Sequence, residues 1–363
     1  MQFPRTWLLL AILLSILAGD GRAQKKKPDP DEGYIPVVAP EGKKKKKKGD
    51  EILQQALPPS PELPAAVTAE TQRLAYQVSP LSSKGLLSEQ TRDALKGLLK
   101  SNRGPIVKLR AFVAGSGDLR RIGEIAGEMF QEKHLALPAL SVVQVGALPM
   151  EGAQVIIEAT EVDRKVVNPI GVAFLSGQAA ASVSESLDKL KAVLAGAGMQ
   201  PDDALAVTCF VSSFDDQRDT RPKIAAGFPS AALNYVQMQR GPVMPAANCE
   251  AVARLRTAPA AASNSQAALV VSPQVTITGT QLAFGSQDSD FKLAYARLEK
   301  TLAASRTSLD RVVMAHLYVT AAGLASRVLA IQQSQTSPAK TLVPVESLPS
   351  LDAMFGIDVI AAP

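Results

Sequence analysis

The sequence predicts an α+β protein made of three tandem domains, which span residues 65–163, 164–258 and 259–363. One order of elements recurs in each: a long amphipathic helix, a strand, a polar turn, a second helix and a final pair of strands. Two sets of valines give nearly the same period. Those that end the early strands are 98 and 108 residues apart (Val113, Val211 and Val319). Those in the later strands are 93 and 107 residues apart (Val143, Val236 and Val343). Such self-similarity is typical of repeated domains.

The first helix and the first strand carry the clearest pattern in each domain. In the second domain, Leu187, Leu190 and Leu194 recur at helical spacing, so one stripe of that helix is apolar and needs a sheet to cover it. The predicted helices are Leu87–Asn102, Ser182–Met199 and Asp290–Ser308. Alternating β-branched and aromatic residues predict the strands that follow, which are Val107–Val113, Ala204–Val211 and Arg311–Val319.

Residues 1–23 have the pattern of a secretory signal peptide. A basic start at Arg5 precedes an apolar run, Trp7–Ala18, and Gly21 and Ala23 are small residues where a signal peptidase would read. The run is about a dozen residues long, shorter than the roughly 20 that span a bilayer. We therefore predict an exported protein, periplasmic or extracellular, with a retained anchor helix as the competing interpretation.

Residues 24–64 are predicted to form a disordered tether, since they are rich in Lys and Pro and have little apolar surface to bury. Its run Lys43–Lys48 could contact an anionic envelope surface, and a solvated spacer is the simpler interpretation. The 298 residues from position 66 onward carry only +2 of the net charge of +5, and aromatic residues make up 4% of the chain. This composition lacks the clustered positive face of a nucleic-acid-binding protein, so no nucleic-acid partner is predicted.

The two cysteines, Cys209 and Cys249, both lie in predicted strands. An oxidising compartment would allow them to form a disulfide, and two buried free thiols are the alternative. The sequence has no Cys-x-x-Cys, His-Glu-x-x-His or phosphate-loop motif. No metal or cofactor is therefore predicted.

The late strands contain a shared pattern. In the first domain Pro138–Pro149 is followed by Val155–Ala159, and in the third Pro338–Pro349 is followed by Ile357–Ala361. The second domain has shorter matches (Phe174–Gln178, Val236–Met238 and Cys249–Ala253). These segments resemble the signature of the Rid (YjgF) family, and the three matches in order extend over about 300 residues.

The resemblance implies a chorismate-mutase-like α+β fold for each domain. Members of the family are typically homotrimers with a ligand cleft at each subunit boundary. Three tandem copies would then form an intramolecular pseudo-trimer, a monomer that replaces the homotrimer.

The resemblance also implies where a catalytic site would lie. In catalytic members an Arg grips the carboxylate of a reactive imino acid, and a Glu positions the water that attacks the C=N carbon. The Arg position is occupied here by Leu140, Leu233 and Lys340. The Glu position is occupied by Ile156, Asn248 and Gly356. Because no domain keeps the pair, the positions are degenerate, and only Lys340 could still attract a small carboxylate or carbonyl-type ligand.

An acidic series, Glu158, Glu250 and Asp358, follows the Glu position by two residues in each domain. That offset keeps the same strand face, so these acids could approach the cleft. The favoured interpretation is that they are structural acids paired with a neighbouring strand or a subunit-like interface. His134 and His316 are interpreted as packing or surface residues.

These observations predict an exported Rid-like protein that binds small molecules or acts as a scaffold. The alternative is an imine or enamine deaminase of altered specificity, in which Lys340 holds the anion and Asp358 steers water. The two interpretations differ in whether ammonia is released from an imino acid.

Overall fold

The computed structural model describes residues 61–363 except positions 116, 166–167, 216–218, 240–245, 260–262, 265 and 337. The predicted signal peptide, and the predicted tether up to residue 60, lie outside the described residues. No helix in the described part of the chain is long and apolar enough to cross a membrane.

The described residues form three β-sheets and three pairs of α-helices. The helices are α1 (Leu87–Ser101), α2 (Arg120–Glu132), α3 (Val183–Gly196), α4 (Thr220–Gly227), α5 (Asp288–Ala304) and α6 (Ala325–Gln335). The strands are β1 (Ala66–Glu70), β2 (Leu74–Val78), β3 (Ile106–Ala114), β4 (Ala139–Val145), β5 (Val155–Val162), β6 (Val172–Ala180), β7 (Ala204–Val211), β8 (Ala232–Gln237), β9 (Ala247–Arg254), β10 (Ala267–Val270), β11 (Gln274–Thr278), β12 (Gln281–Phe284), β13 (Val312–Val319), β14 (Ala339–Pro344) and β15 (Ala353–Ala361).

The three sheets share one pattern of strand pairing. Their orders are β2-β5-β3-β4, β10-β6-β9-β7-β8 and β1-β11-β15-β13-β14, with β12 also paired to β15. In each sheet a central strand (β3, β7 or β13) runs parallel to the strand after its second helix and antiparallel to the last strand. The fold is mixed α+β. The long helices and central strands lie within four residues of their predicted bounds.

Two strands pair outside the domain range in which they occur in sequence. β1 belongs to the range predicted for the first domain, but it pairs antiparallel with β11 of the third sheet, with Thr68 opposite Thr276. β10 belongs to the range predicted for the third domain, but it pairs with β6 of the second sheet, with Ala268 opposite Phe174. Backbone hydrogen bonds therefore attach each of these two strands to a sheet formed by another predicted domain.

Each sheet has one face against its helix pair and the other toward the centre of the molecule. Three separate apolar cores fill the spaces between helices and sheets. On the opposite faces, Phe112, Phe210 and Tyr318 come from three different sheets and pack in one buried apolar cluster. Burial of both faces explains why the central strands are apolar almost throughout. The inner faces of the three sheets therefore meet at one central interface.

The ends of the edge strands β4, β8 and β14 also meet there. The backbone N–H of Gly146 donates to the carbonyl of Gln237. The N–H of Gln144 donates to Ser347 at 2.9 Å, and the N–H of Gln239 donates to Pro344 at 3.2 Å. Each edge strand is thus linked to both others, which fixes the arrangement of the inner faces.

Candidate functional site

The central strands place equivalent residues at the centre of the molecule. Because side chains alternate along a strand, every second residue of β3, β7 and β13 points inward. The strand register matches three such levels: Lys108, Ala206 and Met314; Arg110, Thr208 and His316; and Phe112, Phe210 and Tyr318. Opposite the middle level, the last strand of each sheet carries an acid: Glu158, Glu250 or Asp358.

Six ionisable side chains at these levels form a buried group, here named the central charge cluster: Lys108, Arg110, Glu158, Glu250, His316 and Asp358. Arg110 joins two sheets, since its guanidinium lies 2.6 Å from Glu158 and 3.1 Å from Glu250. Glu158 also accepts hydrogen bonds from Thr208 and from Asn234, the latter at 2.8 Å. The first and second sheets are therefore held together by charged hydrogen bonds, which are the strong class.

The third sheet joins the cluster through His316 and Asp358. Nδ1 of His316 lies 2.8 Å from Asp358, and Nε2 lies 3.4 Å from Glu250. Asp358 also accepts a hydrogen bond from Ser141 at 2.8 Å and lies 3.6 Å from the Lys108 ammonium. Each acid thus contacts a side chain from another sheet, and the cluster connects all three.

The charges in the cluster alter one another's pKa values. Burial would raise the pKa of Glu250, but His316 and Arg110 outweigh it and lower that pKa to about 2. Burial likewise opposes ionisation of Asp358, whose pKa Lys108 and His316 nevertheless hold below its usual range. Burial would lower the pKa of His316, but Glu250 and Asp358 raise it. Burial dominates for Lys108 and lowers its pKa to about 8, despite the opposing effect of Asp358.

A cavity adjoins the central charge cluster. Its walls include all six charged residues and apolar side chains from the three sheets, among them Phe174, Ile277 and Met314. Its volume is about 70 Å³, several times the roughly 10–15 Å³ that one water requires. Several lining residues are partly exposed, among them Tyr76, Ala206, Val252 and Ile360, so the cavity reaches the surface.

The boundary between β6 and β14 brings together two positions singled out from the family resemblance. The backbone N–H of Lys340 donates to Oγ of Ser176 at 3.0 Å, and Nδ2 of Asn248 donates to the carbonyl of Leu342 at 3.4 Å. Gly177 is closely packed there: a Cβ on it would lie 2.4 Å from Oδ1 of Asn248. The Arg position of the third domain and the Glu position of the second thus share one boundary.

Two of the remaining positions meet at a second boundary. The carbonyl of Leu140 accepts from the N–H of Thr280 at 3.3 Å, and a Cβ on Gly356 would lie 3.0 Å from the Thr280 side chain. Elsewhere, Leu233 is partly buried against the second helix–sheet core, and Ile156 is buried in the cluster that contains Phe112. Apolar side chains or glycine therefore occupy the Arg and Glu positions at these places.

Lys340 and Asp358 lie apart, although the deaminase interpretation used them together. Asp358 pairs in register with His316, and Lys340 pairs with the next residue toward the N-terminus of β13, Ala315. Consecutive strand residues point to opposite faces. Lys340 is consequently on the helix side of its sheet, whereas Asp358 is in the central charge cluster.

Sequence reasoning missed Lys108 and Arg110, and it interpreted His316 as a packing or surface residue. Lys108 and Arg110 lie two residues apart in a strand whose other members are apolar. That pattern is a usable signal, because a charged side chain is rarely fully buried unless it is paired. The paired acids Glu158 and Glu250 were already visible as a series.

The structure joins Cys209 and Cys249 by a disulfide. The two residues are directly opposite each other on β7 and β9, and their Cα atoms are 4.1 Å apart. The bond lies in the helix-side core of the second sheet.

Neither a family model nor a curated protein sequence matches this chain. Among solved structures, Rv2704 from Mycobacterium tuberculosis, a member of the YjgF family, is 19% identical, with a TM-score of 0.24, over 26% of this chain and 83% of its own. The Rid family protein YyfA from Yersinia pestis is 20% identical, with a TM-score of 0.23, over 24% of this chain and 80% of its own. Yeast Mmf1 is 25% identical, with a TM-score of 0.22, over 24% of this chain and 78% of its own.

Proposed function

We propose that the chain is a pseudo-trimer of three tandem Rid-like units that binds a small molecule, or serves as a scaffold, without hydrolysing imines. The tandem arrangement is supported by the pairing pattern that recurs in three sheets and by the edge strands that meet pairwise at the centre. Export, with a basic tether, is part of the proposal and rests on the pattern of residues 1–64.

The observation that carries the non-catalytic assignment is the composition of the β6–β14 boundary. Lys340 is a cation at the Arg position, and the Glu position at the same boundary is the amide Asn248. An amide is not a base near neutral pH, so it cannot take the proton from an attacking water. An ammonium at this boundary is still able to attract a small carboxylate, although it lacks the fork of a guanidinium.

Ammonia release from a freshly generated imino acid tests the lack of catalysis. We expect the purified protein to release ammonia at the rate of buffer alone. The double variant Lys340→Arg with Asn248→Glu rebuilds the pair. A higher rate of ammonia release by this variant would show that the missing groups cause the lack of catalysis. Accelerated release by the natural sequence, lost in Lys340→Ala, would show that the protein is a deaminase.

Binding is tested separately by titrating small carboxylates into the protein in a calorimeter. We expect binding to be lost in Lys340→Ala and kept in Lys300→Ala, which removes an exposed lysine on α5. Equal binding by both variants would remove Lys340 from the site. Light scattering tests the pseudo-trimer, because the proposal requires the mass of one chain.

A further inference from the structure

The central cavity combines a charged base with apolar walls. The central charge cluster forms one side, and Phe174, Ile277 and Met314 are among the apolar residues on the others. Sites for small organic molecules commonly have this composition, with a few polar groups fixing the orientation of a mostly apolar ligand.

The space arises from one substitution among three equivalent positions. At the level of Lys108, the first and third sheets carry the long side chains of Lys108 and Met314, whereas the second carries Ala206. A methyl group leaves open the volume that a long side chain would occupy. Ala206 is itself partly exposed, so the space is connected to the surface.

Two polar atoms of the cavity lining lack a hydrogen-bond partner within the described residues: Oε2 of Glu250 and the hydroxyl of Tyr76. The nearby hydroxyl of Thr341 also lacks a hydrogen bond of normal geometry, and it lies close enough to Glu250 to lower the pKa of that carboxyl. Glu250 is only 5% exposed. A buried carboxylate oxygen without a well-formed hydrogen bond is costly, so the cavity favours a ligand that donates hydrogen bonds.

The charge of the cluster favours a cationic donor. Three carboxylates face two basic side chains, Lys108 and Arg110, and only a protonated His316 brings the total to zero. With His316 neutral the cluster carries one net negative charge, which disfavours a carboxylate ligand. A bound cation would instead supply the third positive charge and allow His316 to be neutral.

We propose that the central cavity binds a small primary alkylammonium ion, with its nitrogen at Oε2 of Glu250 and its alkyl chain along Phe174 and Met314. Either the bound ion or the proton on His316 can balance the third carboxylate, so binding of the ion releases that proton. The groups that face His316 are Glu250 from β9, Asp358 from β15 and Arg110 from β3. Affinity therefore increases as pH rises through the titration of His316, and loss of the Lys108 proton near pH 8 would increase it further.

Calorimetric titration of the full chain with n-propylammonium chloride tests the proposal, with 1-propanol and sodium propionate as matched ligands. We expect millimolar binding of the ammonium ion, as befits a ligand of few atoms. Affinity should increase between about pH 6 and about pH 7.5, by up to about tenfold per pH unit for full coupling to one proton. Titration in two buffers of different ionisation enthalpy measures the proton released.

Two variants and two controls locate the site. Glu250→Gln removes the charge and Ala206→Leu fills the space, and each should weaken binding by about tenfold or more. Ala303→Leu and Lys300→Ala, both at exposed positions of α5, should leave binding unchanged. Circular dichroism confirms that each variant is folded. If Glu250→Gln fails to fold, Ala206→Leu decides.

The proposal is overturned if propanol or propionate binds as tightly as the ammonium ion, if Ala206→Leu binds normally, or if no binding occurs at about 20 mM ligand, far above a millimolar Kd. These results do not depend on ammonia release or on Lys340. Failure of this site is therefore distinguishable from failure of the proposed function.

Discussion

Removing the Arg110 side chain should strongly destabilise the protein. Its guanidinium neutralises Glu158 and Glu250 from two different sheets, and its side chain is only 9% exposed. In Arg110→Ala the two carboxylates remain buried and lose their shared cation. Breaking a buried pair in this way typically costs about 3–5 kcal/mol.

The cost of protonating one of these carboxyl groups gives an independent magnitude for the lost stability. The least costly response is for one carboxyl to take up a proton. For an ordinary glutamic acid, with a pKa of about 4.3, this costs about 1.36 kcal/mol for each pH unit above the pKa, or about 3.7 kcal/mol at pH 7. At pH 5 the same step costs about 1 kcal/mol. The folded variant then holds a proton that the unfolded chain has released, so its stability relative to the natural protein falls as pH rises from about 4.3 to 7.

Urea unfolding followed by circular dichroism measures the loss. The matched control is Arg121→Ala, which removes an arginine paired 2.5 Å from Glu124 with a side chain 39% exposed. A surface pair of this kind contributes little to stability. The reasoning is refuted if Arg110→Ala loses no more than Arg121→Ala at pH 7, or if its loss is the same at pH 5.

Three further outcomes are expected. His316→Gln should remove a pH dependence of stability. In the natural protein the raised pKa of His316 stabilises the fold below about pH 6.5, and this stabilisation is lost as pH rises through the folded pKa. Thermal unfolding measures it over the pH range below about 8, where Lys108 titrates. Cys209→Ala opens a loop whose ends are 40 residues apart, so unfolding without reductant should show a loss of about 2–4 kcal/mol, and no loss would contradict it. Gly177→Ala should cost more than about 1 kcal/mol because its Cβ would clash, whereas Gly196→Ala in α3 meets nothing and should gain about 0.5–1 kcal/mol; equal melting temperatures would contradict both.

The sequence predicted the local elements well because their signals are local. The apolar stripe of α3 and the alternation in β7 each lie within one short segment, and the structure places both within a few residues of the expected bounds. The pairing of β1 with β11 has no such signal. Thr68 and Thr276 are more than two hundred residues apart, and nothing in either segment identifies its partner.

The site was predicted only in part for a similar reason. The acids Glu158, Glu250 and Asp358 were recognisable because they recur at one position in each domain. Their partners do not recur, since Arg110 and His316 differ in type and come from different domains. A repeat pattern reveals what the domains share, whereas the charge cluster depends on how they differ.

That difference is a consequence of having the three sheets on one chain. In a symmetric homotrimer, every residue at the centre occurs three times. An arginine at the position of Arg110 would then place three guanidinium groups against three acids, a cluster whose charge would not change near neutral pH. In this chain the corresponding positions hold Arg110, Thr208 and His316, so three acids meet one permanent cation, one neutral donor and one group whose charge depends on pH.

The same freedom applies to the next level, where Ala206 replaces a long side chain and opens the cavity. A homotrimer could not open one third of its centre without opening all three. Asymmetry at the centre therefore accounts for the pH-dependent charge of the cluster and for the adjacent space, and the Ala206→Leu variant tests whether that space has a use. If filling it changes neither ligand binding nor pH dependence, the asymmetry serves only to hold the three sheets together.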